Sequence, residues 1–215
     1  MTVIQQKQPV LVWDLPVRVF HWLLVVSFAG AWLTAESEAQ QMIHYAFGYT
    51  ACGLVLFRII WGLIGTRYAR FTQFIKGPGK TTHHIKSMLN RQQDHQLGHN
   101  PVGALAMVLL MVLILMLGLT GYWIVKDLLS ELVGDAHEII ASLAMAVVTV
   151  HVAAAILMSF FKDENLIKSM VTGKKMGTID QAISSPVSLV GFMLALAWVC
   201  TFYLLVSGAL PVLTQ

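Results

Sequence analysis

Apolar residues along this chain fall into five long blocks separated by short polar or basic stretches. A helix that crosses a bilayer needs about 20 mostly apolar residues. The blocks at 17–35, 43–64, 102–125, 136–161 and 187–207 each reach that length, so they predict five transmembrane helices in one small bundle. The polar residues that interrupt the blocks are then the informative ones. The stretch DAHEIIASLAMAVVTVH has His137 near one end and His151 at the other, with little but apolar residues between. At about 100° per residue, fourteen residues come within about 40° of four full turns and rise about 21 Å. The two imidazoles therefore share one helix face at two depths.

Composition supports the lipid setting. Of 215 residues, 57% are hydrophobic and 12% charged, and the mean hydropathy is +0.70, far from an ordinary soluble domain. The basic residues are distributed unevenly. Lys7 and Arg18 lie at the start, Arg67, Arg70, Lys76, Lys80, Lys86 and Arg91 in the loop 65–100, and Lys162, Lys168, Lys174 and Lys175 in the loop 162–186. These loops alternate with outer ones that carry Glu36, Glu38, Asp127, Glu131 and Asp135, with Lys126 as the sole base. Positive loops stay inside, so the N-terminus is expected in the cytoplasm and the C-terminus on the opposite, outer side. The net charge of +3 is a topology signal and implies no nucleic-acid partner. The first block is longer than a signal-peptide core and has no small-x-small cleavage site after it, so it is expected to be retained. Cys52 and Cys200 lie within blocks and there is no C-x-x-C-H, which leaves covalent c-type haem without its attachment site. In the linkers, HIKSMLNR and DENLIKSMVTGKK predict two short amphipathic helices in the cytoplasmic interface; the shared IKSM is too short to be an internal repeat.

Alternating topology sorts the intramembrane histidines, which are costly there and default to functional roles. His44 and His137 fall at the outer ends of their helices, and His21 and His151 near the inner side. Two histidines from different helices facing each other at one depth is how a helical bundle clamps a haem. A single histidine near a span end is ordinarily a hydrogen-bonded interfacial residue, but two depth-matched pairs are harder to explain so. Arg58 follows His44 by fourteen residues and Arg18 precedes His21 by three, so both suit the propionates of an inner haem. Arg58 has the alternative of snorkelling to the surface. Gly30, Gly48, Gly53, Gly118 and Gly121 are either slots for a flat ring or packing notches. His83, His84 and His95 read as solvated loop residues. His99 and Asn100 precede Pro101 at a helix start on the inner side, where they either cap the helix or serve a ligand at the membrane surface.

The strings VWDLPVRVFHW, MIHYAFGY, GHNPVGALAM, DAHEIIA…TVH and ENLIKSMVTGKK resemble the prokaryotic cytochrome b561 family, including the b-type cytochrome subunits of membrane-bound nickel-iron hydrogenases. The likeness runs over about residues 10–176. It implies a four-helix domain holding two b-type haems on His21, His44, His137 and His151, with residues 187–207 as an added C-terminal transmembrane helix. It also implies electron transfer between a membrane quinone, ubiquinone or menaquinone, and a redox partner. With no catalytic domain in the sequence given, the expected partner is a periplasmic c-type cytochrome or oxidoreductase. The alternatives are a superoxide:quinone oxidoreductase, which the acidic outer loops disfavour by repelling an anion, the cytochrome subunit of a nickel-iron hydrogenase, and a non-redox transporter that binds a metal through its histidines.

Overall fold

The computed structural model describes residues 6–73, 97–98, 101–128, 130–161 and 165–210. Five helices are long and apolar enough to cross a membrane. We label the helices α1 (Leu15–Thr34), α2 (Gln41–Ile64), α3 (Pro101–Val125), α4 (Ser130–Phe161), α5 (Leu166–Thr172) and α6 (Ser188–Val206). The spans α1, α2, α3, α4 and α6 start and end within about two residues of the expected blocks, with one exception. Helix α4 begins six residues early, because hydropathy marks where the bilayer ends and not where a helix must stop. Its first turn takes Glu131, which favours the positive end of the helix dipole. The expected interfacial helix after the fourth span is α5, capped by Asn165, whose side chain accepts from the Lys168 backbone at 2.8 Å. Its counterpart at HIKSMLNR lies outside the described residues, as do His83, His84, His95, His99 and Asn100.

Helix α1 packs on α2, α2 on α3 and α3 on α4, while α6 lies against both α1 and α2. The principal neighbours of α4 are α3 and α5. Only 6% of its most apolar stretch is buried, against 33% for α2, so its face toward α1 and α2 is lightly covered by protein.

A small cap, unforeseen from sequence, closes the end of the bundle where α1 begins, the inner end in the expected topology. Strand β1 (Gln8–Leu11) pairs antiparallel with β2 (Lys174–Gly177), Gln8 opposite Gly177 and Leu11 opposite Lys174. Val10, Val12, Trp13, Val17, Tyr68, Ala69 and Ile183 form an apolar core beneath this ribbon. Gly173 makes the turn from α5 into β2 possible. Its φ is +78°, a Cβ there would lie 2.7 Å from the Trp13 carbonyl, and its own carbonyl accepts from Val12 and Trp13 at 2.8 and 3.0 Å. The cap thereby ties the start of α1 to the chain leaving α4.

Two of the glycines are packing notches. A Cβ on Gly30 would fall 2.4 Å from the Phe47 ring, and one on Gly118 would fall 2.2 Å from Cys52 Sγ. Phe47 in turn packs on Phe202 of α6 at 4.6 Å between ring centres, next to Trp198, whose indole donates to Ser27 of α1 at 2.9 Å. Gly30→Leu is therefore expected to displace Phe47 and loosen α6, at a cost of roughly 1–3 kcal/mol. A lower unfolding midpoint in detergent checks this, and adding Phe47→Ala should recover part of the loss.

Candidate functional site

Three helices carry their polar groups at seven-residue intervals, which keeps them on one face. On α2 the series is His44, Ala51, Arg58; on α4 it is His137, Ala144, His151; on α1, Asp14 at the N-cap leads to His21. Ala51 and Ala144 are both buried, and these small residues separate an outer from an inner level.

At the outer level the His44 and His137 rings face each other with centres 6.4 Å apart. Each ring is held by its Nδ1. That of His44 lies 2.8 Å from the Ala31 carbonyl, one of the last four of α1, which lack helical partners. A carbonyl can only accept, so Nδ1 carries the proton. The Nδ1 of His137 lies 2.8 Å from Thr120 Oγ1. That hydroxyl also lies 2.9 Å from the Met116 carbonyl and 3.2 Å from that of Leu117, and with its single proton on either carbonyl its oxygen accepts from His137. In both rings Nε2 is left with its lone pair, the arrangement that second-shell partners impose on metal-binding histidines. A transition metal sits about 2 Å from an imidazole nitrogen, with the ring centre about 1 Å behind, so two rings on one ion have centres about 6 Å apart. The observed spacing fits an iron between them. Beside the pair, nothing lies within 4 Å of a Cβ built on Gly48, one turn from His44, and a Cβ on Gly121 would meet the His137 ring at 3.6 Å. These two glycines leave room for a flat ring. Gly53 is also open, but nine residues put it on the far side of α2 from His44.

At the inner level His151 is within electrostatic reach of His21. The Nδ1 of His21 is buried without a hydrogen-bond partner, and its ring is edge-on to Trp22 at 5.0 Å. Arg58 is 1% exposed, which excludes snorkelling. Its guanidinium lies over the Phe71 ring at 5.0 Å, one terminal nitrogen is 3.8 Å from Met107 Sδ, and Nη1 has no partner. A buried cation with a free donor calls for an anion. Arg18 donates from Nη1 to the Val171 carbonyl and keeps a buried, unbonded Nε, which lies beside Gly173; it anchors α5 and the turn into β2. Among the described residues no three His, Cys, Asp or Glu gather into a metal cage, so the arrangement is one of facing pairs. Sequence reasoning missed Thr120 and the Ala31 carbonyl, which bond across helices and leave no local signal. It also missed Asp14, which an acid just before Leu-Pro at a helix start could have revealed as a cap.

Residues 12–173 match the family described as prokaryotic cytochrome b561. The chain belongs to that family. Such a cytochrome carries out b-haem electron transfer in a membrane, in keeping with the multi-pass fold. The match ends before α6. The chain is similar to the probable Ni/Fe-hydrogenase B-type cytochrome subunit of Rhizobium leguminosarum bv. viciae, 22% identical over 216 residues that cover 80% of this chain and 90% of that one. It is likewise similar to the protein of the same description from Azotobacter vinelandii, 24% identical over 218 residues, 80% and 91% of the two chains. The probable Ni/Fe-hydrogenase 1 B-type cytochrome subunit of Escherichia coli (strain K12) is 25% identical over 136 residues, 52% of this cytochrome and 58% of the relative. No solved structure matches.

Proposed function

We propose that this cytochrome holds two haem b groups, the outer on His44 and His137 and the inner on His21 and His151, and passes electrons between membrane quinone and a periplasmic partner, a c-type cytochrome or oxidoreductase. The observation that carries the reading is the outer pair: two rings at coordination spacing, both with Nε2 free. Held by a histidine pair, each haem would supply one-electron iron chemistry. The chain's contribution is to fix the outer rings' orientation through Ala31 and Thr120, exclude water with apolar helices, and set charge near the inner centre with Arg58. Residues 10–176 form this electron-transfer unit, and 187–207 brace it from the α1–α2 side. The unit spans the bacterial inner membrane with its N-terminus cytoplasmic and its C-terminus periplasmic, as the basic inner loops require. Quinone binds on the inner side at His99 and Asn100, because an imidazole is suited to proton exchange with water.

A reduced-minus-oxidised spectrum with haem quantification tests the reading. Two haem b per chain are expected, and one or none refutes it. His99→Ala should slow quinol-driven haem reduction by tenfold or more with both haems retained; unchanged kinetics would move the quinone site elsewhere, beginning with the outer face beside His44 and Tyr45. The descriptions of the relatives favour a second reading, in which the periplasmic partner is a nickel-iron hydrogenase. Haem reduction by hydrogen in native membranes, absent from detergent-purified protein, distinguishes it. The exposed acids of the outer rim, Glu36, Glu38, Glu131 and Asp135, weigh against superoxide as the donor.

A further inference from the structure

Asp14 is fully buried and uses both carboxylate oxygens. Oδ1 accepts from the Val17 backbone at 2.8 Å, capping α1. Oδ2 accepts from Trp61 Nε1 at 2.9 Å and Thr66 Oγ1 at 2.6 Å. Capping needs only one oxygen; the second ties the inner start of α1 to the inner end of α2 and the turn beyond it. All three donors are neutral, so the carboxylate is solvated by dipoles and its charge is not cancelled by a bonded cation. Its position relative to the inner level is fixed in two ways. His21 follows it by seven residues on the same face of α1, and Arg58 precedes the Asp14-bonded Trp61 by one turn on α2. Arg58 lies within electrostatic reach of Asp14, and its Nη1 is bonded to neither oxygen.

We infer that Asp14 is a positioning residue of the inner centre: it locks the inner ends of α1 and α2, and with them His21 and Arg58, and its buried negative charge holds the inner centre at a lower potential than Arg58 alone would set. The inference rests on the assignment of His21 and His151 to an inner haem. An anion near an iron favours the oxidised, more positive state, and little water screens it here. Losing the charge should therefore raise the potential. Losing a hydrogen bond to the carboxylate, with the charge kept, should leave the potential level or lower it, because that donor dipole partly neutralises the anion.

The test is redox titration of the full-length holoprotein in detergent, with the inner wave identified as the one that His21→Ala removes. Asp14→Asn keeps the shape and an oxygen for the Val17 cap. Its inner wave should move to higher potential, with two haems retained and the outer wave in place. Thr66→Val keeps the carboxylate, and its inner wave should stay level or move down. An unmoved inner wave in Asp14→Asn, equal movement of both waves, or an upward shift in Thr66→Val would each overturn the inference. If Asp14→Asn fails to accumulate, the sign in Thr66→Val decides alone. Wild-type protein with fewer than two haems would instead defeat the two-haem reading itself.

Discussion

His137→Ala is expected to halve the haem content of the purified protein, removing the outer centre and leaving a single b-type centre on His21 and His151. The outer iron would lose one of two axial nitrogens, and the Thr120 hydroxyl that orients the ring would be left facing a cavity. The inner pair should survive because fourteen residues of helix put it about 21 Å away, with Ala144 buried between the levels. His44→Ala should give the same product. Thr120→Val, which leaves the ligand but frees its ring, should weaken outer-haem retention by about 10–100-fold. The readouts are haem per chain and the difference spectrum; loss of the inner centre from His137→Ala, with the outer one kept, would show the pairing to be wrong.

Arg58→Leu should lower the potential of the inner centre and leave the outer one in place. A cation held in a low-dielectric interior disfavours the oxidised, more positive state of a nearby iron, so its removal lowers the potential. Arg58→Lys keeps the charge while giving up the planar contact with Phe71, so it should recover most of the potential. Redox titration of the three proteins decides the matter, and an unmoved inner wave in Arg58→Leu would reduce Arg58 to a packing residue.

The spans were legible because apolar blocks of bilayer length leave little alternative, and the facing histidines because a fourteen-residue spacing and matched depths survive any small error in helix ends. What the sequence hid was whatever depends on which helix lies beside which. Ala31 holds His44 through a carbonyl that every residue possesses, and Thr120 looks like any small polar residue in a span. The glycines were indistinguishable in sequence, yet Gly30 and Gly118 are filled by Phe47 and Cys52 while Gly48 and Gly121 border the outer pair. Arg58 looked free to reach the surface because length alone permits it; Phe71 and Met107, from separate segments, enclose it instead. The inner cap escaped notice because β1 and β2 are four residues each, too short for an alternating pattern, and lie at opposite ends of the matched region.

Helix α4 supplies one ligand to each proposed haem while packing chiefly on α3 and α5. During synthesis, neither iron site exists until this helix enters the membrane, and both come into being with that single insertion. Loading is then a joint event, in which the two cofactors stitch α4 to the earlier α1–α2 pair. A chain starved of haem would hold α4 through α3 and α5 alone, leaving that helix open to membrane proteases. The cell's stock of this cytochrome would accordingly follow its haem supply, through degradation of unstitched chains.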